Sequence, residues 1–226
     1  MAAPRASRRP SPPLVPKEQP ELATPQHLVQ RKAALRAEQR RRRRAVAPSG
    51  AAEAVADLLI AGFRLPQGGI VSGYWPLADE LDPRPTMTRL ATLGHPLALP
   101  RVQGRGRPLV FHVWRPGDPL FAGPFEVMEP APDAPLARPR ILLVPLLAFD
   151  REGRRLGYGA GYYDLVLREL RALSPPPLAI GVAFAAQEVD AVPTGPRDQP
   201  LDAVVTDRAV HSCGGPAIAA LEAGRG

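Results

Sequence analysis

Cysteine is almost missing from this sequence: Cys213 stands alone among 226 residues. That excludes an intrachain disulfide, a cysteine-built zinc cage and any two-cysteine redox motif. A reducing compartment, and with it a cytoplasmic location, is the matching expectation. Aromatic residues are also scarce, at 5%, so Trp75 and Trp114 are expected in a core or a ligand wall rather than in a base-stacking platform. The histidines at 27, 95, 112 and 211 lack metal-ligand spacing, and no site is assigned to them. No run approaches the ~20 apolar residues of a membrane helix. The opening Met-Ala-Ala-Pro-Arg-Ala-Ser-Arg-Arg-Pro has no apolar stretch of signal-peptide type. A membrane is therefore not an expected partner.

What is plentiful is proline, with 30 residues, and basic charge, with a formal net charge of +7 and a pI near 10.4. Prolines 4, 10, 12, 13 and 16 oppose an amphipathic transit helix, so residues 1–25 are expected to form a disordered Pro/Arg-rich extension. Much of the basic excess precedes Val46. Arg40 to Arg44 would spread around more than one face of a helix, which suits a solvated, phosphate-attracting surface better than a nucleic-acid contact. The expected organisation is one domain over residues 26–215, with a C-terminal helix or tail at 216–226. A monomer is the expected state.

Within that domain the apolar periodicity predicts helices over 27–46 and 51–61, a strand at 69–75, a helix at 86–93, and strands at 97–99, 109–113 and 141–144. A helix over 162–173, strands at 178–184 and 203–206 and a last helix over 216–222 follow. The run Ile141-Leu-Leu-Val144 is apolar without alternation, as in a strand buried on both faces. The pattern indicates an α/β fold, a three-layer Rossmann-like domain with a largely parallel central sheet covered by helices. Ala131 to Pro139 reads as a proline-rich connector.

After the buried strand comes Phe149-Asp-Arg-Glu-Gly-Arg-Arg-Leu-Gly-Tyr-Gly-Ala-Gly-Tyr-Tyr-Asp164. Glycines at 157, 159 and 161 let the backbone take positive φ and approach a ligand, and the N–H groups of the following helix start can bind anionic oxygens. Arg154 and Arg155 could neutralise phosphate oxygens, and Asp164 could hold the accompanying Mg²⁺. The run is neither a P-loop nor the dinucleotide fingerprint. On composition alone, a turn whose glycines only permit tight packing is an equal reading.

The longer pattern Val144-Pro-x-x-Ala-Phe-Asp-x-x-Gly-x-Arg-Leu-Gly-x-Gly-x-Gly-Tyr-Tyr-Asp164 resembles the hallmark of the 5-formyltetrahydrofolate cyclo-ligase family. Further family features occur in order: Lys32-Ala-Ala-Leu-Arg36, Glu80-Leu-Asp82, Leu99-Pro-Arg101, Glu129-Pro130, Ala183-Phe-x-x-Gln187 and Asp202-Ala-Val-Val-Thr-Asp207. The resemblance covers about residues 27–211. It implies a ligase of one-carbon metabolism that converts 5-formyltetrahydrofolate to 5,10-methenyltetrahydrofolate with ATP and Mg²⁺, releasing ADP and phosphate.

Residue by residue, the resemblance implies that Lys32 and Arg36 reach ATP phosphates from one face of the first helix. Arg155, Leu156, Gly157, Tyr158, Gly159, Ala160, Gly161, Tyr162 and Tyr163 match the nucleotide loop, with Tyr158 to Tyr162 also bordering the folate. Arg155 and Asp164 take the catalytic roles, Asp164 as the metal-linked carboxylate. Trp75, Glu80 and Phe125 match folate-side positions. Tyr158 stands where many relatives carry Arg, Met or Phe, and Ala160 replaces a usual Gly or Lys. An alanine there is acceptable at negative φ, whereas positive φ would cost about 1 kcal/mol. The competing reading is a catalytically diverged nucleotide- or nucleic-acid-binding protein on the same fold.

Overall fold

The computed structural model describes residues 25–46, 49–77 and 79–214. The extension expected at 1–25, apart from Pro25, and the helix or tail expected at 216–226 lie outside the described residues. In chain order the elements are helices α1 (Pro25–Ala45) and α2 (Ala51–Gly62), strand β1 (Val71–Ser72), helix α3 (Arg84–Thr92), strands β2 (Leu97–Arg101), β3 (Val110–Val113), β4 (Leu120–Ala122), β5 (Met128–Pro130), β6 (Leu136–Ala137), β7 (Ile141–Pro145), β8 (Ala148–Phe149) and β9 (Arg155–Leu156), helix α4 (Tyr162–Leu170), and strands β10 (Leu178–Ala183), β11 (Ala203–Thr206) and β12 (Val210–Ser212). Among the described residues no helix is long and apolar enough to cross a membrane.

The main sheet runs β12-β11-β10-β7-β1-β2-β3-β6. Its centre, β11-β10-β7-β1-β2, is parallel, and its edges β12, β3 and β6 are antiparallel. The unbroken apolar run of β7 is explained by its place in the middle. Ile141 and Leu143 join the core with Val55 and Leu59 of α2 and Met87 and Leu90 of α3. Leu142 and Val144 join the opposite core with Val166 and Leu167 of α4. Side chains alternate across a strand, so a strand covered by helices on both faces has no polar side.

Two strand expectations shrink or multiply. The stretch 69–75 forms only the two residues of β1, and Tyr74 and Trp75 beyond it line the cleft described below. The proline-rich connector contains β6, and the glycine-rich run contains a hairpin, β8 with β9. The helix over 162–173 ends at Leu170.

Helix α1 is polar around most of its surface but is built from strong helix formers, with Arg42, Arg43 and Arg44 in its last turn, where cations favour the helix dipole. It docks mainly through side-chain bonds: Lys32 to Asp198, Arg36 to the Gly157 carbonyl, and Arg43 to Asp79. Leu35 adds an apolar contact to a small core of Ala148, Leu156 and Val192. Chain order reverses in the sheet between β1 and β7, since β2 lies on one side of β1 and β10 and β11 lie beyond β7. Ligands of open parallel sheets bind outside the carboxyl ends of the strands at such a switch point.

Candidate active site

A cleft of about 390 Å³ opens at that switch point. Its floor comes from strand ends: Tyr74 and Trp75 after β1, Pro100 and Val102 at β2, and Pro145 at β7. Leu77 and Glu80 form one wall, the β4–β5 hairpin supplies Phe125, Val127 and Glu129, and Arg155 with the loop into α4 closes the other side. Arg40 reaches it from α1.

The phosphate-side geometry begins with the β8–β9 hairpin. Asp150 fixes its turn by accepting from the N–H groups of Glu152 and Arg154 and from Val192 N at 2.7 Å. Gly153 is obligatory there: its φ is +76°, and a Cβ would stand 2.5 Å from the Leu201 carbonyl oxygen. Successive residues then diverge. Arg154 pairs with Asp150 and Glu152 and does not line the cleft. Arg155 is only 8% exposed and donates to Asp164 Oδ1 at 2.7 Å and to the Gln199 carbonyl. Burial lowers its pKa from the ordinary arginine value, and Asp164 opposes that shift. Leu156 is core, packed with Ala148 and Val192, which is why it lies outside the cleft.

The loop 157–161 takes positive φ at Gly159 (+110°) and Gly161 (+73°). Ala160 is not among the positive-φ residues, so its Cβ carries no left-handed strain. Gly157 has neither constraint: its φ is ordinary, and nothing lies within 4 Å of a Cβ built on it. The fold alone therefore does not require glycine at 157. Gly159 sits behind the lining, against the Arg36 guanidinium.

Lys32 and Arg36 do not line the cleft. Lys32 is held by Asp198 at 2.6 Å, and Arg36 Nε donates to the Gly157 carbonyl at 2.9 Å. Asp164 does line it, with both of its hydrogen bonds among the described residues falling on Oδ1, from Arg155 and from Gln199 N at 3.0 Å. Oδ2 accepts no hydrogen bond from the described residues. Among the described residues no three His, Cys, Asp or Glu side chains gather into a metal-holding group. A cation here would combine one carboxylate with ligand oxygens and water, the manner in which Mg²⁺ is commonly held with phosphates.

At the other end the Glu80 side chain is buried. Its Oε2 accepts from Leu77 N at 2.8 Å and its Oε1 accepts from the Tyr158 hydroxyl. Burial raises its pKa above the usual carboxylate value, against the opposing pull of Tyr158, Leu77 N and Arg43. Burial and the nearby Glu80 push the Tyr158 and Tyr163 hydroxyls far above the ordinary tyrosine value, so both remain proton donors. The Tyr163 hydroxyl is buried at the cleft without a partner among the described residues. Trp75 forms the adjoining wall, edge-on to Trp114 at 6.1 Å and beneath the Arg84 guanidinium at 5.0 Å. Phe125 also lines the cleft, 68% exposed and 6.3 Å from the Tyr162 ring.

Several functional candidates escape the sequence reading. Arg43, expected on a solvated face, is 2% exposed and bonds Asp79, while Arg40 faces the cleft. Helical spacing carries the signal, since 32, 36, 40 and 43 follow one another by four, four and three and so share a face.

The model of the 5-formyltetrahydrofolate cyclo-ligase family matches residues 26–207. The 5-formyltetrahydrofolate cyclo-ligase of Escherichia coli is 34% identical over 142 residues, covering 60% of this chain and 76% of that protein. The enzyme of the same name from Mycolicibacterium smegmatis is 32% identical over 167 residues, covering 70% and 83%. The NMR structure of Aquifex aeolicus 5,10-methenyltetrahydrofolate synthetase superposes with a TM-score of 0.67 at 29% identity, covering 80% of this chain and 92% of that chain. A Mycoplasma pneumoniae 5,10-methenyltetrahydrofolate synthetase shares the fold at 23% identity and a TM-score of 0.61. With the hairpin, the glycine loop and the Glu80 wall assembled on this sheet, the chain belongs to the 5-formyltetrahydrofolate cyclo-ligase family.

Proposed function

We propose that this chain catalyses the ATP- and Mg²⁺-dependent closure of 5-formyltetrahydrofolate to 5,10-methenyltetrahydrofolate, with release of ADP and phosphate. One observation carries the reading: a single cleft has two chemically different ends. One end holds a buried carboxylate beside aromatic walls, Glu80 with Trp75 and Phe125, and the other holds Arg155 and Asp164 at a glycine-rich loop.

The reaction needs both ends because a formamide oxygen is a poor leaving group. That oxygen takes the γ-phosphoryl group of ATP as ADP departs. The N-10 nitrogen then adds to the formyl carbon, loses its proton to solvent, and phosphate leaves with the former formyl oxygen. No protein nucleophile is required, so the task of the site is alignment and charge stabilisation.

The residues supply these functions in a consistent way. Glu80 accepts hydrogen bonds from donor groups of the pterin ring, which Trp75 and Phe125 sandwich. Tyr163, whose buried hydroxyl has no partner among the described residues, is suited to donate to an oxygen of either substrate. Arg155 and Arg40 neutralise phosphate charge, and ordinary-φ Gly157 leaves room for phosphate oxygens near the backbone. Asp164 Oδ2 would hold Mg²⁺, which when bound supplies further neutralisation of the phosphates. Lys32 and Arg36 support the loop from α1, and Lys32 joins the phosphates if it exchanges Asp198 for them.

The lone Cys213 suits the cytoplasm. Burial of Arg43 and the cleft-facing position of Arg40 favour this reading over a nucleic-acid surface on α1. The test mixes purified protein, 5-formyltetrahydrofolate and Mg-ATP and follows the near-ultraviolet band of the methenyl product. Growth that depends on ATP is the expected result; folded protein that binds ATP without producing the band would overturn the reading.

A further inference from the structure

We propose that Tyr158, held by Arg43, is a positioning residue that couples the two ends of the cleft, so that each substrate binds more tightly when the other is present. The inference rests on the two-substrate reading above.

Tyr158 belongs to the glycine loop, between Gly157 and Gly159, yet its hydroxyl reaches Glu80 in the loop that follows β1. The same hydroxyl accepts from Arg43 Nη1 at 2.5 Å. An arginine only donates, so the single proton of the hydroxyl is committed to Glu80 and the chain Arg43 to Tyr158 to Glu80 has one direction. Arg43 is fixed in turn. It is 2% exposed, its Nη2 donates to Asp79 Oδ1 at 2.7 Å, and its guanidinium stands 5.4 Å from the centre of the Tyr158 ring.

The neighbouring loop residue is tied to the same helix, since Arg36 donates to the Gly157 carbonyl. Helix α1 thus grips the loop at two consecutive residues, upstream of Gly159 and Gly161, whose positive φ marks where the backbone bends into α4. Glu80 has one oxygen on its own loop, through Leu77 N, and the other on the glycine loop, through Tyr158. A ligand that settles the glycine loop therefore settles the Glu80 carboxylate, and a ligand gripped by Glu80 settles the loop. Tyr74, Tyr163 and Asp79 also interact with Glu80, and none of them hydrogen-bonds across the two loops among the described residues.

Coupling of this kind is reciprocal and is measured as a ratio of dissociation constants. The experiment titrates 5-formyltetrahydrofolate into the full chain with and without saturating Mg²⁺ and a non-hydrolysable ATP analogue, for the unaltered protein, Tyr158→Phe and Asp79→Ala. In the unaltered protein the analogue is expected to tighten folate binding by about 5-fold or more. In Tyr158→Phe that ratio falls toward one while each ligand alone still binds. Asp79→Ala, which frees Arg43 without touching a cleft-lining side chain, lowers the ratio part of the way.

A ratio of one in the unaltered protein overturns the proposal, as does a Tyr158→Phe protein that binds folate weakly but keeps the ratio. If Tyr158→Phe fails to fold, Asp79→Ala decides, and an unchanged ratio there overturns the coupling. Nucleotide binding without any folate binding by the unaltered protein would instead overturn the cyclo-ligase reading, and the coupling with it.

Discussion

Asp164 Oδ1 accepts from Arg155 Nη2 at 2.7 Å and from Gln199 N at 3.0 Å, so the carboxylate proposed for Mg²⁺ is also the counter-ion of a buried arginine. Its two oxygens divide two tasks. Oδ1 orients Arg155 toward the cleft, and Oδ2 would hold the proposed cation.

Asp164→Asn is therefore expected to act twice. Turnover should fall by at least ~100-fold, as when a preorganised charge-stabilising group is removed. Stability should fall by about 1–3 kcal/mol, less than for a fully buried pair because Asp164 is 27% exposed in its side chain. Thermal unfolding and the methenyl assay on the same preparation separate the two effects. Unchanged turnover in a folded protein would remove Asp164 from the metal role.

The glycines of the loop make a graded series. Gly159→Ala and Gly161→Ala force a side chain into left-handed backbone, at φ +110° and +73°, and each should cost about 1 kcal/mol of stability. Gly157→Ala meets neither strain nor a neighbour, so its melting temperature should stay level while its KM for ATP rises. An unchanged KM with a level melting temperature would show that no ligand approaches this backbone closely.

Phe125 and Glu126 are the two non-glycine residues with positive φ among the described residues, at 62° and 61°, and they form the tip between β4 and β5. Strain of this sort gathers at ligand clamps. Phe125→Ala should raise the KM for folate while keeping the strain, whereas Phe125→Gly should raise it similarly and stabilise the fold by roughly 1 kcal/mol. Equal stability of the two variants would show that the tip relaxes at no cost.

The central sheet was legible because burial on both faces writes itself into a strand: Ile141 to Val144 could not be half-exposed. Short edge elements were not. Leu120–Ala122 lasts only three residues in a short hairpin with Met128–Pro130, and Leu136–Ala137 is held by cross-strand pairing to Phe111 and His112, so local pattern carries little of that information. The site divided along similar lines. Asp150 shares a motif with Asp164, and Asp202 and Asp207 form another, yet Asp150 bonds Val192 N, Asp202 bonds Ala179 N and Asp207 bonds Ala185 N, all bracing the backbone. Which motif carboxylate faces the ligand and which supports the fold depends on tertiary pairing. Arg43 shows the same limit from the other direction, a charged residue in a basic run whose burial depends on Asp79 and Tyr158 arriving from elsewhere in the chain.

The pH dependence of folate binding tests Glu80. Burial is the largest influence on its carboxyl and raises its pKa above the ordinary glutamate value of about 4.3. The ionised carboxylate is the form that accepts from pterin donors, and it is complete only above the raised pKa. The KM for folate at saturating Mg-ATP should thus be flat on the alkaline side and climb as pH falls through a limb above the usual carboxylate range. Tyr158 and Arg43 both favour the charged form, so Tyr158→Phe should move that limb to higher pH, and Glu80→Gln should abolish it at a uniformly raised KM. Initial rates from pH 5.5 to 8, each with an enzyme-free control to subtract acid-driven ring closure, provide the measurement. A limb that persists in Glu80→Gln would assign the titration to another group and remove Glu80 from the pterin contact.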